Sequence, residues 1–360
     1  MVAKSFLTSA SVVAVLLALF QNICIAQGSR SRPVAYDVPW DLQGKKSGRP
    51  ATDISGIACM PAAGEAPLSC LLVNDENASA QFVTVSNRRL IAGDVIPLLG
   101  NRPDSRTLGT EPQVSCAGGR GDFKEFDGEG VAFAAPYYYV VGSHGCSRNT
   151  GEFRLSSFIL ARIEVKSAMS ASSPGQSARS VVETTYRLSD VLGKASEVAP
   201  YFGKALTGQN GLNVEGLAAD DSQLFIGLRA PSIDGNAYIV KAKTAELFAE
   251  GHDPAVSAPE VIPVAVGVGA GIRDLAMLPD GRLLVLTGPA QNEDIRAQIL
   301  RVEARPRGKV ETLRELMEAG PGTKAEAMAV LSYTKNEVRV LVLFDGVVNG
   351  GPLEYRIVLE

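Results

Sequence analysis

A short phrase recurs five times along the chain: a polar or acidic residue, then a small one, then an aliphatic residue and alanine. The copies read Asp53-Ile-Ser-Gly-Ile-Ala, Asp127-Gly-Glu-Gly-Val-Ala, Asn213-Val-Glu-Gly-Leu-Ala, Gly271-Ile-Arg-Asp-Leu-Ala and Lys324-Ala-Glu-Ala-Met-Ala. Each leads through a turn into a second, strongly apolar β-run. Such recurrence, at intervals of roughly 50–90 residues, marks a repeat architecture in which each unit buries its face against the next. The turns agree with this. Ala135-Pro136, Ala219-Asp-Asp-Ser222, Pro279-Asp-Gly281 and Thr334-Lys-Asn-Glu337 separate β-rich runs and supply the residues that tight reversals favour.

Further strand-like runs fill the gaps, among them Phe158–Val165, Val181–Arg187, Ala237–Lys241 and Ala297–Val302, with Ile233–Val240 read as an outer strand. About four strands per unit, radially repeated, describe a β-propeller. The expected fold class is all-β, a single propeller of five four-stranded blades, with spacing that leaves room for a sixth. Gly and Ala in the inner strands let them crowd around the axis. Helix is expected only at Thr244–Glu250 and Val310–Ala319, and Lys166–Ser180 reads as an exposed loop. An unpaired blade edge is an aggregation hazard, so Pro33–Val38 is expected to close the ring beside Leu353–Leu359, with Trp40 packed at the closure.

The N-terminus differs in kind. Lys4, the apolar run Ser11–Phe20 and Cys24-Ile-Ala26 have the form of a signal peptide over residues 1–26, leaving 27–360 as the propeller domain and no membrane insertion after its removal. The expected location is periplasmic or secreted. Four cysteines then remain, an even number suited to two disulfides in an exported protein. If Cys59 and Cys70 lie on two strands of one hairpin they face each other, which leaves Cys116 with Cys146. A net charge of −4 provides no basic field for nucleic acid.

In a propeller the start of each inner strand and the end of the next strand share one mouth of the axial channel. That geometry gathers Asp75, Glu129, His144, Arg148, Glu215, Arg229, Arg273, Asp274 and Glu326 into one candidate ligand site, with Ser55, Glu76, Thr287 and Asp345 beside them. Carboxylates there suit a hard cation such as Ca²⁺, which would polarise a phosphoryl or acyl oxygen. The arginines suit an anion, clamped while a carboxylate or His144 carries a proton. A purely structural role, Glu fixing neighbouring backbone or pairing with Arg between blades, fits each glutamate equally well.

Taken in order, D-x-E-G-[VL]-A, Tyr139-Val-Val-Gly-Ser-His144 with Arg148, Leu224-Phe-Ile-Gly-Leu-Arg-Ala-Pro231 and Gly271–Ala276 resemble the bacterial family called domain of unknown function 3616. A weaker resemblance runs to exported propellers of the phytase-like and esterase-like kinds. The first resemblance implies a propeller and brings no activity, and fold alone assigns none. Two functions are therefore expected of the funnel: capture of an anionic small molecule or an envelope partner, or metal-assisted hydrolysis of a phosphoester or ester.

Overall fold

In a computed structural model of the chain, residues 31–45, 48–62, 64, 66–119, 123, 125–148, 150–166, 182–317 and 319–359 are described. The expected signal peptide and most of the Lys166–Ser180 loop lie outside them. Residues 33–360 form one compact unit.

Strand β1 (Val34–Ala35) comes first. Blade 1 holds β2 (Ile54–Cys59), β3 (Leu68–Asn74), β4 (Ser79–Ser86) and β5 (Arg89–Pro97). Blade 2 holds β6 (Gly128–Ala134), β7 (Tyr137–Gly142), β8 (Leu160–Glu164) and β9 (Val182–Thr185). Blade 3 holds β10 (Asn213–Ala219), β11 (Gln223–Ile233), β12 (Asn236–Lys243) and β13 (Glu260–Ala265). Blade 4 holds β14 (Ala270–Met277), β15 (Arg282–Pro289), β16 (Gln298–Glu303) and β17 (Val310–Glu315). Blade 5 is made of β18 (Lys324–Tyr333), β19 (Glu337–Asp345), β20 (Leu353–Val358) and, as its outermost strand, β1.

All five sheets are antiparallel, four of them meanders and the fifth completed by β1, and the inner strands touch in the cyclic order β2, β6, β10, β14, β18 and back to β2. The ring is a propeller of five blades, with no sixth. It closes where β1 pairs with β20, Val34 opposite Glu354 and Ala35 opposite Leu353. The Tyr36 hydroxyl adds a 2.8 Å bond to the Glu354 carboxylate. Trp40 is exposed rather than packed at the closure; Leu42 is the buried residue there, in a cluster with Ile54, Ile57, Ala327 and Leu341 that joins blades 1 and 5.

Three sequence expectations need correction. Val310–Glu315 is strand β17, not helix: the outer edge of blade 4 needs a partner for β16, and cross-strand pairing outweighs the helical spacing of leucines. Ile233–Val240 is not an outer strand: it spans the end of β11, the turn at Asp234-Gly235 and the first half of β12, and β13 forms the edge. The helix Arg187–Lys194 lay unrecognised after β9; its Leu188, Val191 and Leu192 pack into the core between blades 2 and 3. The Thr244 helix is a single turn, Thr244–Leu247.

Both disulfides form as expected. Cys59 and Cys70 are directly opposite in β2 and β3, and Cys116 joins Cys146 in the loop following β7.

Candidate functional site

Each inner strand carries a register shift at the same place. The ladder skips one residue between Ile54 and Gly56, Gly128 and Gly130, Val214 and Gly216, Ile272 and Asp274, and Ala325 and Ala327. The residues left unpaired are Ser55, Glu129, Glu215, Arg273 and Glu326, one per blade. A β-bulge bends its strand and re-aims a side chain. Here it turns all five onto one cavity of about 320 Å³ at the start of the inner strands.

The residue after the bulge packs on the next blade, which explains the glycine of the phrase. A Cβ on Gly130 would lie 2.9 Å from both the Glu215 carbonyl oxygen and the Leu217 nitrogen, and one on Gly216 would lie 3.0 Å from the Asp274 carbonyl carbon. In blade 4 this position holds Asp274 instead. Its side chain is fully buried and accepts backbone N–H bonds from Leu275 (2.8 Å) and from Met328 of blade 5 (2.7 Å). Asp274 thus ties two blades together and does not line the cavity.

Asp75, Glu129, Arg148, Glu215, Arg229, Arg273 and Glu326 do line it, together with Ser55, Glu76 and Asp345. His144 does not. It is fully buried behind the wall, its Nδ1 2.9 Å from the Gly142 carbonyl and its ring edge-on to Phe158. Burial without a charged partner pushes its pKa down to about 4, so the imidazole is neutral at ordinary pH. Thr287 is also buried away from the cavity, its hydroxyl 3.4 Å from the Gln298 carbonyl.

Sequence reasoning missed Asp127 and Lys324, which line the cavity two residues ahead of Glu129 and Glu326. The signal was present: both are the first residue of their phrase.

The cavity has two unlike walls. On the side of blades 3 to 5, the Glu215 carboxylate accepts 2.8 Å from Arg229 Nη1 and lies 3.3 Å from Arg273 Nη2. Arg273 also grips Glu326 through Nε, at 2.6 Å, and through Nη2. The four side chains are buried and balance in charge. The two guanidinium groups hold the Glu215 carboxyl below its ordinary range despite burial, which alone would raise it, and the two carboxylates hold Arg273 firmly charged. Arg229 Nε donates to the Ala290 carbonyl at 2.8 Å, while its Nη2 is buried with no hydrogen-bond partner among the described residues. Lys324 and Arg148 flank this wall.

The wall of blades 1 and 2 is acidic. Asp75 follows β3, and Asp127 precedes β6 with a left-handed φ of 57°. Asp127 accepts from the Ser143 hydroxyl. Burial, and then the neighbouring Asp127, Asp53, Asp345 and Glu76, push Asp75 up to about 8. Burial and then Glu215, Asp127, Asp75 and Glu326 push Glu129 well above the carboxylate range. Asp75 Oδ1 is buried without a partner among the described residues. Lys45 and Arg154 stand at the rim but are held by Glu76 and Glu125, at 3.0 to 3.3 Å.

These carboxylates do not fit the Ca²⁺ site that the sequence allowed. Among the described residues no group of three or more His, Cys, Asp or Glu is arranged to hold a metal ion. Burial and neighbouring acids raise the Asp75 and Glu129 carboxyls, which favours the protonated form, and a protonated carboxyl donates as well as accepts.

The chain as a whole is similar to several solved structures at low identity. The α-L-arabinofuranosidase of Podospora anserina in complex with cellotriose is 10% identical, with 91% of this chain and 98% of that one covered and a TM-score of 0.45. A mannose phosphorylase of Leishmania mexicana is 9% identical over 92% and 88%, TM-score 0.40. A glycoside hydrolase of Bacteroides ovatus, described as such without proof of activity, is 12% identical over 91% and 92%, TM-score 0.40. Likeness at this level carries no argument about chemistry. The sequence matches none of the curated proteins. The family described as "Protein of unknown function (DUF3616)" matches residues 154–350, more than half of the chain, from the end of the Cys146 loop through β19. The chain belongs to that family.

Proposed function

We propose that the axial cavity is the binding site for a small anionic ligand, received on Arg229, Arg148 and Lys324, in a protein exported to the periplasm or beyond. The observation that carries the first part is Arg229 Nη2: a buried N–H donor with no partner, on a side chain that lines the cavity. Leaving a buried donor unsatisfied costs about 1–3 kcal/mol, and more when the group is charged. A ligand oxygen at that point removes the cost. Glu215 and Glu326 balance the charges of Arg229 and Arg273, so among the described residues lining the cavity the cations left to act on a ligand are Arg148 and Lys324, beside the open N–H edge of Arg229.

Export is supported by the signal-like N-terminus and by two disulfides, which persist in oxidising compartments. No described helix is long and apolar enough to cross a membrane.

The test is thermal unfolding and calorimetric titration of the full chain with inorganic phosphate and a series of small carboxylates. At least one anion should raise the melting temperature in proportion to the logarithm of its concentration. The double variant Glu215→Ala with Arg229→Ala, which removes one charge of each sign, should abolish that response. A response that survives the double variant would place the anion elsewhere.

A further inference from the structure

Resting on that anion reading, we propose that the ligand is a small zwitterion, its anionic end on Arg229 and a cationic end, of the primary ammonium type, received by Asp75 and Glu129 on the facing wall. The two walls belong to one cavity, and each leaves a buried polar group without a partner. On one side this is Arg229 Nη2; on the other it is Asp75 Oδ1. Glu129, about nine-tenths buried, also has no side-chain hydrogen bond or ion pair among the described residues. Orphaned buried groups of opposite kind across one space call for a ligand that carries both complements.

Charge separation across the cavity points the same way. Asp75 is faced by Asp53, Asp127, Asp345 and Glu76, and Glu129 by Asp75, Asp127, Glu215 and Glu326. Among the described residues, the rim cations Lys45 and Arg154 are engaged by Glu76 and Glu125. An anion that lacked a cationic end would leave this wall unmatched. The volume, about 320 Å³, lies at the small end of ligand pockets, which run from roughly 300 to 1,000 Å³.

The protonation state supplies a signature. Burial and the surrounding carboxylates push Asp75 up to about 8 and Glu129 well above the ordinary carboxylate range, which favours their protonated forms. An ammonium placed against them favours the carboxylates, so entry of such a ligand is expected to release protons to water. A hydroxyl or a plain anion asks for no such release.

The probes are ω-amino acids from glycine to 8-aminooctanoate, each paired with the carboxylic acid of the same length that lacks the amine. Calorimetric titrations at pH 7 in two buffers of different ionisation enthalpy report affinity and protons released together. At one or more lengths the amino acid should bind tenfold or more tightly than its partner acid and release protons. Asp75→Asn with Glu129→Gln, which is isosteric with the protonated pair and so preserves the fold, should erase the tenfold advantage and the proton release while plain carboxylates still bind. Amino acids that bind no better than their partner acids at every length would overturn the zwitterion and leave the anion reading standing. Failure of every anion, inorganic phosphate included, would overturn both.

Discussion

Glu129 and Glu215 hold the same place in neighbouring blades, the bulged residue of an inner strand, yet their carboxyls are driven in opposite directions. Glu215 sits between two guanidinium groups and stays ionised although it is buried. Glu129 is buried and faces other acids, and its carboxyl is pushed well above the ordinary range. The repeat fixes where a side chain points, and the neighbours fix what it is. A propeller can thus vary the electrostatics of one funnel blade by blade without touching the strands that build it, because the bulge delivers whatever residue occupies that one position. One wall is an ion-pair network balanced in charge, with a single open donor at Arg229 Nη2. The other waits for a partner.

The largest effect should come from breaking the ion-paired wall. Arg273→Met removes the guanidinium that bridges Glu215 and Glu326 and leaves two buried carboxylates with half their compensation. Truncating one member of a buried pair costs about 3–5 kcal/mol, and urea unfolding should show a loss of that size. Glu129→Gln on the opposite wall, which replaces a carboxyl whose charged form burial disfavours by an amide of the same shape, should change stability by less than about 1 kcal/mol. Similar losses from the two substitutions would mean that the walls do not differ as described.

A smaller effect distinguishes them by pH. The ordinary value for Asp75 is 3.8 and its folded value is about 8, so between those limits the folded chain holds a proton that the unfolded chain has released. The folded state binding more protons, stability must fall as pH rises from about 4 to about 8. One such group sets a limit of about 1.4 kcal/mol per pH unit, and partial exposure to solvent lowers it. Chemical denaturation of the wild type at pH 5, 6, 7 and 8 should therefore slope downward, and Asp75→Asn should flatten the slope. Parallel curves would show Asp75 ionised in the fold and the acidic wall already compensated.

The sequence made some of this readable and hid the rest for a physical reason. The five phrases and the Cys59–Cys70 pair were legible because each is a local pattern or a pairing within one hairpin; the closing strand near Val34 followed from the need of a repeat ring to cover its open edge, and Cys116–Cys146 from the two cysteines that remained. Val310–Glu315 was misread because its apolar spacing suits a helix and only the edge of blade 4 makes it a strand. The bulge was invisible, since it is a mismatch between two strands and not a property of either. Without it, Asp274 counts as a funnel residue next to Arg273; with it, Arg273 takes the axis and Asp274 turns into the blade interface. The pairing of Arg273 with Glu326, 53 residues on, likewise exists only once the ring has closed. His144 attracted attention as a titratable group beside a candidate loop, but its neighbours are Phe158 and backbone.

The smallest expected effect lies at the far end of the same inner strands. There the axis is lined by apolar residues such as Ile57, Val131, Leu217, Leu275 and Met328, in a cavity of about 110 Å³. The turn that follows β14 carries Asp280, which pairs with Arg282 at 2.5 Å and accepts from the Tyr333 hydroxyl. The Arg282 contact draws its pKa down to about 2, so the pair is intact at every pH used for binding. Its groups are nevertheless about one-third exposed, where such pairs contribute about 0–1 kcal/mol. Asp280→Ala should therefore cost little stability, and it should leave phosphate and carboxylate titrations unchanged, because nothing charged connects it to Arg229. Lys335→Ala, in the corresponding turn of blade 5, should behave the same way. Weakened anion binding in either variant, with Glu215→Ala and Arg229→Ala harmless, would move the site from the polar to the apolar end of the axis and remove the functional meaning of the contrast between the two walls.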